Sequence, residues 1–505
     1  MQTLDLFIIF GYLIGITAFG IWYAGKQETT EDYFVGSRNV PWWAIAMSIV
    51  ATETSTITFI SVPGVAFAKG GDFQFLQLVF GYLLGRVVIS FVFIPLYFSG
   101  QLQTVYQLLG DRFGGKVKVL ASGLFVIMRN IADGIRLLLT AFVLAAVYTA
   151  FQPNADPTTI IVGSILVLGI VMIVFTFYGG MEAVIWIEVV QLVIYIGGAV
   201  AAAVVLTNNI DGGLAGAIDI GQQYDKFRLF DFSLDFAKTY TFWGGLIGGC
   251  FLTMSTHGTD QFLVQRYLCT DKPRAAITAL MTSGLAVLLQ FIGFLFIGVL
   301  LFAYYAPYEM QGYAEATGAF PFTGGDKVFP DFITQKMPPG LSGLVIAAIF
   351  AAALSSSLNS IAATAVNDIY KPFAKDVSEK KLMRVAGILT VVVGIVQIVI
   401  AISLKDAGSS ALNLALAVAS LINGPILGVF LVGTFIKKAK EVHALSGMIV
   451  SIIFMTYVLL AANKIVPGPV IAFPWYALMG SLTTVFVAFL ATLLIGNNKN
   501  DEISS

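Results

Sequence analysis

The sequence predicts an all-α polytopic membrane protein with about 13 transmembrane helices. Of its 505 residues, 58% are hydrophobic and only 11% are charged, whereas soluble domains average about 25% charged residues. Its mean hydropathy is +0.87. The two cysteines are too few for a disulfide framework. The formal net charge of −1 argues against a nucleic-acid partner.

The helix count comes from apolar stretches of roughly 20 residues, the length that crosses about 30 Å of hydrocarbon. These stretches lie near residues 3–25, 41–67, 73–99, 118–150, 158–178, 180–207, 241–266, 275–303, 340–370, 383–403, 410–436, 443–462 and 472–495. Five clusters of lysine and arginine fall on one side of the membrane if the N-terminus is outside and the C-terminus is cytoplasmic. We therefore expect a multi-pass plasma-membrane protein with that orientation.

The spans divide into two groups of five. Spans two to six (41–207) and seven to eleven (241–436) each begin with an interrupted helix. Because five is odd, the two groups cross the membrane in opposite directions, as in inverted-repeat secondary transporters whose broken first helices meet at the midplane. The alternative is that the glycines only allow close helix packing. A single transmembrane domain over 1–505 would then have a leading helix at 3–25 and two trailing helices at 443–495.

The first interrupted helix places a carboxylate, Glu53, among six hydroxyl side chains. The stretch closes with Pro63-Gly64, which removes a backbone donor and permits a bend. Irregular backbone is tolerated at membrane depth only where it lines a cavity, so this stretch is a binding-site candidate. Glu53 would bind a cation, a hydroxyl-rich solute or a proton, or it would pair with an arginine.

Further charged residues lie in other predicted spans. Arg129, Asp133 and Arg136 share one face of the fourth span. Asp133 neutralises one arginine, and the remaining positive charge would pair with Glu53 or with a substrate carboxylate, for which arginine offers a bidentate fork. A structural role for this group is the alternative. Arg86 in the third span is interpreted as structural, and His257 lies in the second broken helix.

The ninth span carries a run of hydroxyls, Ser355 to Ser357, followed by Asn359 and Ser360. Hydroxyls and backbone carbonyls are hard oxygen ligands that suit a small alkali cation. A packing seam of small residues is the alternative interpretation. Glu188 in the sixth span is a candidate ligand for a second cation. The sequence contains neither a nucleophile–base triad nor a phosphate-binding loop, so an enzyme is not expected.

At these residues the sequence resembles the sodium:solute symporter family, which includes sodium-coupled sugar, proline, pantothenate, iodide and sialic-acid carriers. The resemblance rests on motifs in the expected order between residues 32 and 428: Asp32-Tyr-Phe-Val-Gly36, the Ala51–Gly64 stretch, Tyr178–Trp186, Asp260–Leu268, Ser355–Asp368 and Gly424–Gly428. It implies a LeuT-like five-plus-five inverted-repeat core with one extra helix before it and two after it.

The resemblance also implies where ligands bind. A sodium ion would lie between the backbone carbonyls of Ala51 and Thr54 and the serines Ser355 and Ser356, with Glu188 linked to a second sodium. The substrate would lie among six side chains: Glu53, Ser55, Thr58, Gln77, Arg136 and His257. The sequence departs from the family pattern in two respects, because its serine run is short and because Glu188 stands where many members have an aspartate.

The expected function is a secondary symporter that imports a small polar organic solute, such as a sugar, sugar acid, amino acid or carboxylate. A Na+ gradient would drive it by alternating access. The alternatives are H+ coupling through Glu53, and a solute sensor or channel on the same fold. The expected partners are the solute and the lipid bilayer, and no obligate protein partner is evident.

Overall fold

A computed structural model gives the fold of this chain. It describes residues 2–23, 27–54, 56–100, 102–152, 154, 156–313, 325, 328–353, 357–374, 377–406 and 421–495. Within these ranges the chain is helical, and the β pairing there is confined to an isolated bridge between Asn39 and Thr270. Seven of these helices are long and apolar enough to cross a membrane, and one bent pair makes an eighth. The predicted all-α polytopic class is therefore confirmed.

The helices follow the predicted spans closely. In the first half they are α1 (Thr3–Tyr23), α2 (Thr30–Val35), α3 (Trp42–Glu53), α4 (Thr56–Phe67), α5 (Leu76–Val92), α6 (Ile94–Tyr97), α7 (Gln107–Phe113), α8 (Gly115–Phe151), α9 (Pro157–Asn208) and α10 (Gly213–Gln223). In the second half they are α11 (Gly249–Thr259), α12 (Gln261–Tyr267), α13 (Pro273–Tyr313), α14 (Val328–Gln335), α15 (Leu341–Ala353), α16 (Leu358–Thr364), α17 (Glu379–Ser403), α18 (Asn423–Phe435), α19 (Glu441–Ala462) and α20 (Tyr476–Ile495).

The first broken helix consists of α3 and α4. The segments Trp42–Glu53 and Thr58–Phe67 are bent by 60°, and Thr54 leaves the helical region with φ −81° and ψ 78°. Pro63 lies inside α4, and Gly64 allows close packing, because an added Cβ would lie 2.6 Å from the Gly325 carbonyl carbon. The helix is thus broken within the predicted stretch, but the break lies at Thr54, nine residues before Pro63.

The second broken helix consists of α11 and α12. Its interruption is Asp260, with φ −88° and ψ 117°, whose side chain caps α12 by accepting from Phe262 N at 2.8 Å. The glycine stretch before α11 is a π-helical turn (Gly244–Gly248). It packs tightly on α5, since an added Cβ on Gly81 would lie 2.1 Å from the Gly245 oxygen. Close packing therefore accounts for these glycines, and the break lies further along the chain.

A glycine also turns the chain within α9. Gly180 has φ 58° and ψ −169°, a conformation that favours glycine, and it separates the predicted fifth and sixth spans. Gln27 Nε2 donates to the Gly179 oxygen at 2.8 Å near this turn. The 52-residue element Pro157–Asn208 thus consists of two helices that meet at this kink.

The leading helix α1 is fastened to the predicted ninth span by a buried carboxylate. Asp5 Oδ1 accepts from Gly340 N at 2.7 Å and from Gly343 N at 2.9 Å at the start of α15. The positive end of a helix dipole favours such a carboxylate. Gly343 permits the approach, because an added Cβ would lie 2.7 Å from the Asp5 Cα.

The two ends of the helix bundle hold different sets of loops. Arg38 donates to the Leu102 oxygen at 2.8 Å and to the Leu268 oxygen at 3.3 Å. It thereby connects two loops that carry predicted basic clusters. We call the end of the bundle that holds these loops the basic side. The opposite end, the α10 side, holds α10 and the loops around residues 68–75, 224–242 and 463–475. The boundaries of the two repeats, 41–207 and 241–436, stay a prediction.

Candidate solute and cation site

A cavity of about 480 Å³ lies where the two broken helices meet. Its polar lining comes from the two breaks and from α8: Thr52, Glu53, Thr58, Ser61, Arg129, Arg136, Thr253, Thr256, His257 and Asp260. Tyr240 and Phe473, from loops of the α10 side, also line it. The cavity therefore extends from the breaks toward the α10 side.

Four of the six predicted substrate residues come together in this cavity, namely Glu53, Thr58, Arg136 and His257. Ser55 lies outside the described residues. Gln77 differs: it is fully buried and is not part of the cavity lining. Its Oε1 accepts from Asp231 N at 2.9 Å, and its Nε2 donates to the Gln74 oxygen at 3.1 Å. The structure therefore assigns the Gln77 amide to holding a loop.

That loop, residues 226–231, lies along the end of the first broken helix. Lys226 Nζ donates to the carbonyl oxygens of Ala66, Phe67 and Ala68 at 3.0, 3.1 and 2.6 Å. Arg228 pairs with Asp72 at 2.9 Å. Burial lowers the pKa of the Lys226 ammonium to about 8, while the Asp72 charge acts in the opposite direction. The loop thus ties the α10 side to the end of α4.

Because the pKa of Lys226 is lowered, the contribution of this residue to the free energy of unfolding depends on pH. An unfolded lysine keeps its proton up to a pH of about 10.4, so between pH 8 and 10 the unfolded chain binds more protons than the folded one. Stability then rises with pH, by at most about 1.4 kcal/mol per pH unit. We expect the apparent melting temperature in detergent to rise relative to that of Lys226→Met as the pH increases from 7 to 10. A constant difference between the two proteins would contradict this.

Glu53 belongs to a buried ion cluster. Its Oε1 accepts a short hydrogen bond from Arg86 Nη2 and lies 3.3 Å from His257 Nε2. His257 Nδ1 in turn lies 2.8 Å from the Tyr267 hydroxyl. Arg86 is completely buried, and its Nε and Nη1 atoms make no hydrogen bond to the part of the chain that the structure describes. The partner of Glu53 is therefore Arg86, from α5, and not an arginine of α8.

The arginines of α8 are held by two carboxylates. Arg129 Nε donates to Asp133 Oδ2 at 3.0 Å, and its Nη1 lies 3.5 Å from Asp260 Oδ2. Among the residues that the structure describes, Arg136 pairs with Asp133 alone, at 3.4 Å. Arg129 also covers the Phe262 ring, 3.8 Å from its centroid. Both arginines line the cavity, and Arg136 has fewer ion-pair partners than Arg129 among the described residues, so it has more donors for a ligand.

The structure places the predicted cation residues in different environments. Ala51 and Thr54 lie at the end of α3, whose last carbonyls lack intrahelical partners, while Ser355 and Ser356 lie outside the described residues. Glu188 is fully buried, and Arg266 donates to its two oxygens at 2.5 and 3.3 Å. Ser48 donates a short hydrogen bond to the same carboxylate. The expected ligand for a second cation is thus the partner of an arginine in this structure.

Sequence reasoning missed Gln191, which lies on the same face of α9 three residues after Glu188. Gln191 is buried, and among the described residues no hydrogen bond of standard geometry reaches its amide oxygen or nitrogen. Together with Ala51 and Thr54 it surrounds a space of about 10 Å³, close to the volume that one water molecule needs. An amide side chain beside the end of α3 can supply an oxygen ligand to a small cation. The sequence offered one indication of Gln191, because it follows Glu188 at an i, i+3 spacing and so shares its helix face.

The basic side is closed beneath the cavity. The Glu188–Arg266 pair joins α9 to α12, and Ser48 ties α3 to the same pair. Gln265 Nε2 donates to Asn359 Oδ1 at 2.7 Å, which joins α12 to α16. All these side chains are buried. The loops of the α10 side, by contrast, contribute Tyr240 and Phe473 to the cavity lining.

Known proteins are similar to this chain along nearly its whole length. The model of the sodium:solute symporter family matches residues 33–451. The protein belongs to the sodium:solute symporter family. Two similar relatives are sodium/sialic acid symporters, NanT of Aliivibrio fischeri and SiaT of Proteus mirabilis, each 32% identical to this symporter. The alignments cover 99% and 97% of this chain, respectively, and 95% of each relative.

A solved structure is also similar to this symporter. It is a substrate-bound, outward-open Na+-coupled sialic acid symporter, 30% identical, with a TM-score of 0.83 and 98% of both chains covered. The LeuT-like fold, the symporter function and sodium as the coupling ion are confirmed. The protein is a transporter and not an enzyme, and neither proton coupling nor a sensor or channel role is favoured.

Proposed function

We propose that this symporter imports a sugar acid or a similar hydroxylated carboxylate across the plasma membrane. The observation that carries the proposal is Arg136, which lines the cavity and, among the described residues, has one ion pair, the 3.4 Å contact with Asp133. A guanidinium with free donors matches the two oxygens of a carboxylate. Sialic acids, the solutes named for NanT and SiaT, are sugar acids and belong to this class.

The remaining lining suits the rest of such a solute. Glu53 offers a carboxylate to hydroxyl groups of the solute and pairs with Arg86. Thr58 and His257 lie in the same cavity, and the proposed contacts include Ser55. A few placed polar groups within a partly apolar wall are typical of small-molecule sites. Aromatic residues such as Tyr82 and Phe291 supply that wall.

The sodium ion is proposed to bind at the end of α3, opposite the predicted serines of the ninth span. Its ligands would be the carbonyls of Ala51 and Thr54, the Gln191 oxygen, and Ser355 and Ser356. Sodium supplies positive charge at the break, while Ala51, Thr54 and Gln191 hold their oxygens around the small space that they enclose. Glu188, one turn before Gln191 on α9, would support the site indirectly by accepting hydrogen bonds from Arg266 and Ser48.

The orientation follows from the basic clusters. With lysine and arginine on the cytoplasmic side, the α10 side and the open cavity face the outside, and the C-terminus is cytoplasmic. The two groups of five helices, 41–207 and 241–436, would form the inverted repeats that exchange access. A sodium ion and an external solute would both stabilise the arrangement of the broken helices that precedes closure.

Uptake into proteoliposomes tests this proposal. The panel contains N-acetylneuraminic acid, glucuronic acid, glucose and proline, each measured with an inward sodium gradient, with a proton gradient and with neither. We expect sodium-dependent accumulation of at least one sugar acid and little uptake of glucose. Glucose uptake equal to that of glucuronic acid would refute the carboxylate assignment. Accumulation that is indifferent to sodium would refute the sodium site.

A further inference from the structure

The turn Phe473–Trp475, directly before α20, contributes an aromatic side chain to the solute cavity. Phe473 lines the cavity, although this turn belongs to the trailing part of the chain and lies outside the two predicted groups of five spans. Because the turn is one of the loops of the α10 side, Phe473 bounds the cavity at that end. Its side chain is 42% exposed, so a substitution there alters the free space beside the cavity more than it alters core packing.

Close packing holds this turn against the segment that leads into the second broken helix. An added Cβ on Gly248 would lie 2.6 Å from the Pro474 oxygen, and one on Gly244 would lie 3.4 Å from Trp475 Nε1. Both glycines belong to the π-helical turn before α11, and glycine permits such an approach because it has no side chain. The position of Phe473 is therefore fixed by backbone contacts on both sides of the turn.

The loop of residues 231–242 supports the same end of the cavity. Ala472 N donates to the Phe236 oxygen at 2.8 Å, and the ring centroids of Phe236 and Trp475 lie 5.0 Å apart. Tyr240 of this loop lines the cavity. The loop and the turn thus hold each other in place, and each contributes one aromatic side chain to the cavity.

We propose that Phe473 and Tyr240, which we call the aromatic wall, set the largest solute that this symporter accepts. The inference rests on the proposed function, because it concerns the cavity to which that function assigns solute binding. Polar groups such as Arg136 and Glu53 distinguish solutes by charge and hydrogen bonding, whereas the aromatic wall distinguishes them by volume. Aromatic side chains are large and rigid, so the space that they leave has a defined size.

The first test measures access to the cavity without any solute. Ser61 lines the cavity, and both native cysteines, Cys250 and Cys269, are buried, so Ser61→Cys supplies a reporter thiol. Its labelling rate in detergent is measured with methyl methanethiosulfonate and with the bulkier benzyl analogue. We expect Phe473→Ala to raise the ratio of the benzyl rate to the methyl rate about ten-fold, the lower end of the discrimination that a hydrophobic pocket achieves. Phe473→Trp should lower this ratio.

Phe232→Ala is the matched control, because Phe232 belongs to the same loop and is 60% exposed but stacks on Phe230, 5.5 Å between centroids. Its ratio should equal that of Ser61→Cys alone. An equal rise in Phe232→Ala and Phe473→Ala would indicate general loosening of the loop and would overturn the proposal. Unchanged ratios in both Phe473 variants would overturn it as well, and so would a reporter that stays unlabelled in Phe473→Ala, since another barrier would then limit access.

The second test measures solute selectivity in proteoliposomes. Sodium-driven uptake of N-acetylneuraminic acid is inhibited with its N-phenylacetyl analogue, which has the same carboxylate and a bulkier amide group. We expect the half-inhibitory concentration of the analogue to fall about ten-fold in Phe473→Ala and in Tyr240→Ala, and to stay unchanged in Phe232→Ala. Unchanged inhibition in Phe473→Ala and Tyr240→Ala would refute the aromatic wall.

Failure of the proposed function would have a different signature. If the wild type does not transport N-acetylneuraminic acid, the sugar-acid assignment fails, while the labelling of the Ser61→Cys reporter still reports on the aromatic wall. That test then decides alone: a change in the rate ratio that depends on residue 473 supports the aromatic wall, and an unchanged ratio refutes it.

Discussion

Arg136→Gln is expected to lower the uptake efficiency for a sugar acid about 100-fold. The change removes a charged, bidentate partner of the carboxylate, worth roughly 1.5–3 kcal/mol in a buried site, and each 1.4 kcal/mol corresponds to a factor of ten. The protein should still fold, because the long 3.4 Å contact with Asp133 is the ion pair that Arg136 makes among the described residues. Initial uptake rates across a range of solute concentrations measure the effect.

Arg136→Lys and Arg129→Gln sharpen this comparison. Lysine keeps the charge but loses the planar fork, so Arg136→Lys should fall between the wild type and Arg136→Gln. Arg129 holds Asp133 and Asp260, so Arg129→Gln should chiefly lower the melting temperature. If Arg136→Gln transports a sugar acid as the wild type does, the solute carboxylate does not bind Arg136.

Glu53→Gln is expected to abolish uptake and to destabilise the protein by about 3–5 kcal/mol. Removal of one member of a buried ion pair leaves the other charge without compensation. Here that charge is Arg86, which is fully buried and has two nitrogen atoms that bond to none of the described residues. The apparent melting temperature of the purified protein and uptake in proteoliposomes measure the two effects separately.

The double variant Glu53→Gln/Arg86→Met separates stability from function. Loss of both charges removes the unpaired guanidinium, so we expect the melting temperature to recover most of the way to that of the wild type. Uptake should stay absent, because the cavity then lacks the carboxylate that accepts solute hydroxyls. Recovery of uptake along with stability would show that Glu53 is only the structural partner of Arg86.

Much of the site was predictable because charge and irregular backbone are rare in membrane helices. Glu53, Arg136 and His257 were each identified from the sequence, and the structure brings all three to one cavity. The partner of Glu53 was not predictable. Arg86 lies 33 residues away on another helix, and the close packing of Gly81 on Gly245 sets its position. Such a distance depends on packing, which a linear pattern does not record.

Other differences between sequence and structure have equally specific causes. Gln77 has the polarity of a solute ligand, but its amide is used by backbone groups of a distant loop. Glu188 was interpreted as a cation ligand, while Arg266 supplies the positive charge instead. Pro63 sits within a helix because tertiary packing in α4 outweighs the local preference. In each case a contact between distant segments decided the role.

The contact of Asp5 with Gly340 and Gly343 has a consequence for biosynthesis. These residues are about 335 positions apart, so a ribosome that adds 5–20 residues per second needs roughly 20 to 70 s to reach the second partner. The first helix therefore enters the membrane well before the backbone donors for its carboxylate exist. Its final docking must follow insertion of the later helix, so the first segment to be made is among the last to reach its native place.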